Sequence, residues 1–352
     1  MHKKFIPFLK SPVLNDSDES TLEMFEFESS DADHIKNGIL LCRKSGNWFP
    51  VHNEVLELIR PELMYPDDRK KFYEKYKDKF AELGIKYEAE SANSGGDSVK
   101  NQFEQRSHYD DFAVDKSHNY DDYAMQPFWQ AMDRKVFGEW KTKIKDGNMI
   151  LDVGCGNGRS AGRIYKENTF LAGIDISKKS VERAIESSKE KGNYRFQTFF
   201  IADADRIPFK DGTFDFAVTS GVLSQLPDAV KTSREIQKKL KKGGIHFGME
   251  NNRSVFRIFF DFLTNFTKSW KKNKKGLTPE INKKMLDSWF DKGDVEILSY
   301  TSVYLPPTYY NKMNPEEALS KIEKTDKTIQ SFPFLKNNGG LIIFEIKKIK
   351  TP

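Results

Sequence analysis

Short apolar runs alternate with amphipathic stretches from Met149 to the end of the chain. The runs that predict strands are MILDVG, FLAGIDI, RFQTFFIAD, FDFAVTSG, GGIHFGME, DVEILSYTSVYL and GGLIIFEIKKI. Helical stretches such as KKSVERAIESSKEKG follow several of these runs. Alternation of this kind indicates parallel strands covered by helices on both faces. The pattern therefore predicts an α/β fold with a doubly wound, mostly parallel sheet of seven strands.

A different pattern precedes this region and predicts a small α+β domain over residues 1–90. GILLCRKSGNWFPVHNEVLELI contains two strand-like runs around a Ser-Gly-Asn turn. DDRKKFYEKYKDKFAEL then reads as a helix whose apolar or aromatic positions include Phe72, Tyr73, Tyr76 and Phe80. The polar run SANSGGDSVK predicts a linker over residues 91–100. The larger domain is then expected over 101–352.

Composition narrows the class of protein. The chain has 352 residues, 38% hydrophobic and 31% charged, with a formal net charge of +5. This mild positive charge does not by itself indicate nucleic-acid binding. Two cysteines give neither a disulfide framework nor a zinc cluster, and no apolar run reaches transmembrane length. The first residues do not resemble a signal peptide, so we expect a cytoplasmic protein.

The stretch ILDVGCGNGRS carries the main candidate chemistry. Gly154, Gly156 and Gly158 follow the first strand of the alternating region, where open α/β sheets bind ligands. A dinucleotide-binding loop requires G-x-G-x-x-G, but Arg159 occupies the place of the last glycine. A phosphate-binding P-loop is excluded because no Gly-Lys-Ser/Thr follows. The loop therefore indicates close backbone approach to a ligand of another kind.

LDVGCGNG resembles motif I of the class I S-adenosylmethionine-dependent methyltransferases. GIDIS resembles the second motif of that family, and IADADRIPFKDGTFDFAV resembles the third and fourth. The resemblance implies S-adenosylmethionine as cofactor, with S-adenosylhomocysteine as product, and no metal. The cofactor-binding residues that it implies are Asp152, Gly154, Cys155, Gly156, Asp175, Ile176, Asp203, Ala204 and Ser220.

The resemblance also implies a role for most of these residues. Asp175 accepts from both ribose hydroxyls, which suits a carboxylate. Asp203 accepts from the adenine amino group, and the Ala204 N–H donates to a ring nitrogen. Ile176 packs on the adenine face, and Asp152 faces the sulfonium end. Cys155 is expected there for its small size.

The methyl acceptor is less well defined by the sequence. We expect a small-molecule or lipid-like acceptor; the alternatives are an RNA or protein methyltransferase, or a module that binds the cofactor without turnover. Neither Asn/Asp-Pro-Pro-Tyr nor the paired cysteines of pyrimidine C5 methylation occur after the fourth strand, and nucleic acid is not expected. No catalytic residue is assigned. Candidates near the acceptor are Glu250, His246, Tyr109 and Tyr123, although the sequence favours a packing or capping role for each of them.

Two insertions, at 251–290 and 306–338, are expected to cover the acceptor. The first contains an apolar helical stripe that includes Phe256, Phe259, Phe260, Leu263 and Phe266. Four lysines follow it within Lys271–Lys275. The stripe can pack on the sheet, or it can form an interfacial lid that gives peripheral membrane contact.

The N-terminal segment resembles the small zinc-ribbon activator proteins of methyltransferases. The resemblance is short, and the expected metal ligands are missing, because Ser45 stands where the partner of Cys42 would be. We therefore expect a ribbon-like domain without metal. Its predicted core residues are Leu40, Trp48, Phe49 and Val51.

Overall fold

A computed structural model describes residues 1–14, 22–87, 97–114, 124–254, 280–291 and 293–350. Strands and helices alternate in it as the apolar runs predict, and the α/β fold is confirmed. The strands of the described ranges, in chain order, are β1 (Leu22–Ser29), β2 (Ile35–Cys42), β3 (Trp48–His52), β4 (Val55–Glu57), β5 (Met149–Val153), β6 (Phe170–Asp175), β7 (Gln197–Ile201), β8 (Phe214–Ser220), β9 (Leu240–Asn251), β10 (Val295–Ser302) and β11 (Leu341–Lys348).

Most helices begin at a residue that sequence chemistry favours there. The α-helices of the described ranges are α1 (Pro66–Lys75), α2 (Lys77–Glu82), α3 (Asp97–Val114), α4 (Pro127–Lys141), α5 (Arg159–Ile164), α6 (Lys178–Glu190), α7 (Ala229–Lys239), α8 (Lys283–Ser288), α9 (Pro307–Tyr310) and α10 (Pro315–Gln330). Ser177 caps α6 by accepting from the Ser180 N–H, and Asn314 caps α10 in a capping box with Glu317. None of the helices in the described ranges is long and apolar enough to cross a bilayer.

Contacts divide the chain into two compact units. The first comprises Met1–Lys116, Gly154–Gly162 and Phe170–Thr213; the second comprises Ser117–Val153, Arg163–Thr169 and Phe214–Pro352.

In the first unit the strands follow the order β1-β2-β3-β4-β7-β6. Strands β1 to β4 form an antiparallel meander, with Leu41 opposite Trp48 across the predicted turn. Strand β4 then pairs in parallel with β7, with Leu56 opposite Phe200, and β7 pairs in parallel with β6. The N-terminal strands therefore extend the sheet that carries the glycine-loop region, which the hydrophobic pattern alone did not predict.

Helices α1 and α2 cover the N-terminal strands. Phe72 and Phe80 pack in one apolar cluster with Ile39, Leu41 and Trp48. The four residues expected in this core are all buried: Leu40, Trp48, Phe49 and Val51. Of the predicted linker, residues 91–96 lie outside the described ranges, and residues 97–100 begin α3.

In the second unit the order is β5-β8-β9-β11-β10. Strands β5, β8 and β9 are parallel, whereas β11 runs antiparallel to both β9 and β10. Trp140 of α4 stacks on Phe247 of β9, with ring centroids 5.2 Å apart. The insertion at 306–338 contains α9 and α10. In the insertion at 251–290, residues 255–279 lie outside the described ranges, and with them the aromatic stripe and the lysine cluster.

Candidate functional site

The glycine-rich loop after β5 has a backbone that glycine adopts more readily than any other residue. Gly154, Gly156 and Gly158 have φ angles of 66°, 52° and 83°, in the left-handed region where a Cβ is unfavourable. The N–H groups of Gly154 and Cys155 donate to the Ile174 carbonyl at 2.8 and 3.0 Å. These bonds hold the loop against the end of β6.

The glycines of the loop have different surroundings. A Cβ added at Gly158 would lie 3.4 Å from the Cα of Ala184 in α6, so Gly158 permits close packing. A Cβ added at Gly156 would meet no atom within 4 Å. Open space therefore lies beside Gly156, as a loop that binds a ligand through its backbone requires.

Asp175, at the end of β6, faces this part of the loop. Its carboxylate accepts from the Gly156 N–H and the Ser177 N–H, both at 2.9 Å. Burial raises the pKa of Asp175, and these backbone donors act against that shift. Tyr109 of α3 lies close enough that burial, together with the charge of Asp175, raises the Tyr109 pKa to about 12. A carboxylate next to an open loop can accept hydrogen bonds from the hydroxyl groups of a ligand.

Asp203 lies beyond the end of the neighbouring strand β7. It is buried and caps the 3-10 helix Ala204–Arg206 by accepting from the Asp205 N–H at 2.9 Å. The Ala202 N–H donates to the Asp175 carbonyl at 2.9 Å, so the chain at Asp203 runs beside the end of β6. The first unit thus brings the predicted residues Gly156, Asp175 and Asp203 to one end of parallel strands, with Ile176 and Ala204 half-buried beside them.

Two predicted residues belong to the second unit. Asp152 is buried in β5, opposite Val218 of β8. Ser220 ends β8 and is half-buried, opposite Met249 of β9. Both stand at or near the carboxyl ends of parallel strands, as the sequence predicts.

Glu250 of β9 has a structural environment that the sequence did not reveal. One carboxylate oxygen accepts from the Val222 and Leu223 N–H groups at 2.9 and 2.8 Å. The other accepts from the Ser224 hydroxyl at 3.0 Å and its N–H at 3.4 Å. Burial raises the Glu250 pKa, and these four donors act against that shift. Glu250 therefore stabilises the 222–224 turn through these four hydrogen bonds.

His246, the other candidate on β9, is fully buried. Its Nε2 lies 2.9 Å from the Thr219 hydroxyl, and its ring contacts Phe344 edge to face. Burial lowers the pKa of His246 to about 3, so the ring is neutral at ordinary pH. This environment is that of a core histidine. The candidate Tyr123 lies outside the described residues.

No group of three His, Cys, Asp or Glu side chains within the described ranges is arranged to hold a metal ion.

A family of methyltransferase domains matches residues 144–293 of the chain. That stretch includes strands β5 to β9, the glycine loop and both strand-end carboxylates described above. Residues 144–293 form a class I S-adenosylmethionine-dependent methyltransferase domain.

Relatives of this methyltransferase domain differ in how much of the chain they match. The chain is 34% identical to 27-O-demethylrifamycin SV methyltransferase of Amycolatopsis mediterranei over 29% of its own length and 38% of that protein. It is 29% identical to 2-methyl-6-phytyl-1,4-hydroquinone methyltransferase of Synechocystis over 42% of the chain and 41% of that protein. An uncharacterised protein of Methanocaldococcus jannaschii matches more fully, at 26% identity over 70% of the chain and 91% of that protein. The chain thus spans about two fifths of each of the two named methyltransferases.

Some residues at the candidate site were missed by sequence reasoning. Gln102 donates to Asp203 at 2.8 Å, and Arg60 lies 3.5 Å from the same carboxylate oxygen. Asp110 accepts from the Ser177 hydroxyl at 2.7 Å. Gln102 and Asp110 lie in the segment NQFEQRSHYDDF, and nothing in that sequence indicates which strand end the segment contacts.

Proposed function

We propose that this chain transfers a methyl group from S-adenosylmethionine to a small-molecule or lipid-like acceptor. One observation carries the proposal. The Asp175 carboxylate bonds the backbone of a glycine loop at Gly156, where open space adjoins the chain. A loop of this kind has no phosphate-binding lysine, and a carboxylate beside it suits ribose hydroxyls better than phosphates. The arrangement fits the adenosyl cofactor of the matched domain family.

Each binding role is assigned to a residue of the chain. Asp175 would accept from the ribose hydroxyls, and the 154–156 backbone would approach the methionine part. Asp203 would accept from the adenine amino group, the Ala204 N–H would donate to the ring, and Ile176 would cover the ring face. The cofactor, when bound, supplies a methyl group activated by a sulfonium.

Proton removal has no dedicated residue in this proposal. The Glu250 carboxylate is occupied by the 222–224 turn, and His246 is buried with a strongly lowered pKa. A base is required only for an acceptor that is protonated at rest. Alignment and desolvation can lower the barrier by about 7–11 kcal/mol without one. We therefore propose that this domain acts mainly by holding cofactor and acceptor in line.

The acceptor class is supported by the relatives. One is named for a rifamycin and another for a phytylated hydroquinone, which is both small and lipid-like. An RNA or protein acceptor, and binding without turnover, are the competing outcomes of the experiments below.

Cofactor binding is tested by calorimetry with S-adenosylhomocysteine. Asp175→Ala should weaken binding at least tenfold, because charge-assisted hydrogen bonds contribute roughly 1.5–3 kcal/mol each. Asp78→Asn, at an exposed carboxylate of α2, is the control and should bind like wild type. Equal affinities for wild type and Asp175→Ala would exclude Asp175 from the ribose site. No binding to the wild-type chain would exclude the proposed function.

The acceptor is identified with methyl-labelled S-adenosylmethionine and fractionated cell extract. Label should enter a small-molecule or lipid fraction with wild-type protein, and should fall strongly with Asp175→Ala. Label in RNA or protein would replace the proposed acceptor class. Tight cofactor binding without label in any fraction would favour a non-catalytic module.

A further inference from the structure

Asp203 is contacted by side chains from two distant segments. Gln102 of α3 donates through Nε2 to Asp203 Oδ2 at 2.8 Å, and the Arg60 guanidinium lies 3.5 Å from the same oxygen. Arg60 also donates to the Gln102 side-chain oxygen. The side chains of Arg60 and Asp203 are 16% and 6% exposed, and Gln102 is 4% exposed. We call these three residues the Asp203 cluster.

The backbone around Arg60 is fixed. The Leu58 N–H donates to the Ile201 carbonyl at the end of β7 at 2.9 Å, two residues before Asp203. Arg60 directly precedes the 3-10 helix Pro61–Leu63. The backbone on both sides of Arg60 is therefore hydrogen-bonded, and it places the Arg60 guanidinium next to the strand end that carries Asp203.

Helix α3 contacts both the N-terminal segment and Ser177, which lies two residues beyond the end of β6. Arg106 donates to the Leu63 carbonyl, and its guanidinium lies 4.0 Å from the Tyr65 ring centre. The Tyr65 hydroxyl donates to Asp110 at 2.7 Å. The other oxygen of Asp110 accepts from the Ser177 hydroxyl at 2.7 Å. Since Ser177 also donates its N–H to Asp175, α3 links the N-terminal segment to the surroundings of both strand-end carboxylates.

We propose that the N-terminal segment is part of the adenine-recognition site: Arg60, acting through Gln102, orients the Asp203 carboxylate toward the amino group of the adenine base. This inference rests on the proposed function. A buried carboxylate is stable when it is paired and hydrogen-bonded, and its partners fix where its acceptor lone pairs point. Arg60 and Gln102 are thus positioning residues. Because coupling between sites is reciprocal, cofactor binding should also stabilise the contacts that the N-terminal segment makes with Asp203.

Two ligands separate this role from simple stabilisation. S-adenosylhomocysteine carries an amino group at the purine C6, whereas S-inosylhomocysteine carries an oxygen there that cannot donate to Asp203. Calorimetry on the full chain should show that wild type prefers the adenosyl ligand. Arg60→Ala should weaken the adenosyl ligand about tenfold and leave the inosyl ligand nearly unchanged, since only the former loses a charge-assisted hydrogen bond.

Further variants guard against misfolding and unspecific effects. Gln102→Ala should also reduce the preference for the adenosyl over the inosyl ligand. Arg60→Lys should keep part of the preference that Arg60→Ala loses. Arg43→Ala removes an exposed arginine that pairs with Glu23, and should change neither affinity. Equal weakening of both ligands by Arg60→Ala and Gln102→Ala, or no weakening of either, would overturn the positioning role. A wild-type chain that binds neither ligand would overturn the proposed function and this inference with it.

Hydrogen exchange tests the reciprocal effect. S-adenosylhomocysteine should slow amide exchange in residues 58–65 of the wild-type chain, and much less so in Gln102→Ala at saturating ligand. Unchanged exchange in residues 58–65, with the ligand bound and the glycine loop protected, would show that the N-terminal segment is not coupled to cofactor binding.

Discussion

Glu250 should stabilise the turn after β8, and its removal should destabilise the second unit. The carboxylate accepts two N–H groups at 2.8–2.9 Å, from Val222 and Leu223, and two weaker donors from Ser224. The chain turns at Gly221, which has φ 70°, and the 3-10 helix Leu223–Gln225 begins two residues later with Val222 as its N-cap. Its first N–H groups have no partner within so short a helix.

The magnitude follows from these four bonds. Hydrogen bonds to a charged acceptor contribute roughly 1.5–3 kcal/mol each, so the two short ones account for about 3–6 kcal/mol. Water that enters the space left by Glu250→Ala will recover part of this, and we expect a net loss of about 3–5 kcal/mol. Glu250→Gln keeps one acceptor oxygen for the two short bonds but turns an NH₂ toward Ser224. Its loss should be smaller, about 1–2 kcal/mol.

Urea unfolding, followed by circular dichroism, measures these losses. Amide exchange at Val222 and Leu223 should be slowest in wild type, faster in Glu250→Gln and fastest in Glu250→Ala. Glu296→Ala, at an exposed glutamate of β10, is the control and should stay within about 0.5 kcal/mol of wild type. A Glu250→Ala protein as stable as this control would refute the reasoning. A Glu250→Gln protein of normal stability that failed to transfer the methyl group would also contradict this role, because Glu250 would then act in the reaction and not in the turn.

Three further predictions concern other parts of the molecule. Burial lowers the pKa of His246 to about 3 from its ordinary 6.5, so the unfolded chain gains a proton below pH 6.5 that the folded chain does not, and stability falls as the pH falls. Between pH 7.5 and 5.5 this should cost about 1.4 kcal/mol, and urea unfolding of His246→Gln should lack that share; identical losses in both proteins would contradict it. Gly173→Ala would place a Cβ 2.5 Å from the Phe199 ring beneath the glycine loop, so it should lower the melting temperature and weaken S-adenosylhomocysteine binding, whereas Gly138→Ala, which has open space around it, should do neither. Elemental analysis after dialysis against a chelator should find far less than about one zinc per chain, because the N-terminal segment offers Cys42 without the other ligands of a zinc ribbon; a stoichiometric amount would show that prediction to be wrong.

The sequence by itself determined the α/β fold and the position of its strands. Each strand of the methyltransferase domain is a local apolar run, and burial in a helix-covered sheet requires just such runs. The glycine loop was equally readable, since the left-handed φ angles at Gly154, Gly156 and Gly158 are a local property of the chain. The candidates Asp175 and Asp203 followed from the resemblance to the family motifs, which stand at the carboxyl ends of two of these strands.

Only the tertiary structure decided which partners these residues have. Gln102 lies 101 positions from Asp203 and 42 from Arg60, and β4 pairs with β7 across more than a hundred residues. Glu250 read as a catalytic candidate because its strand end faces the ligand side, yet the 222–224 turn occupies its carboxylate. Hydrophobic periodicity reports which face of an element is buried, but not which distant polar group meets it there. Hydrogen bonds between such groups depend on the packed arrangement of elements, and that arrangement exists only in the folded chain.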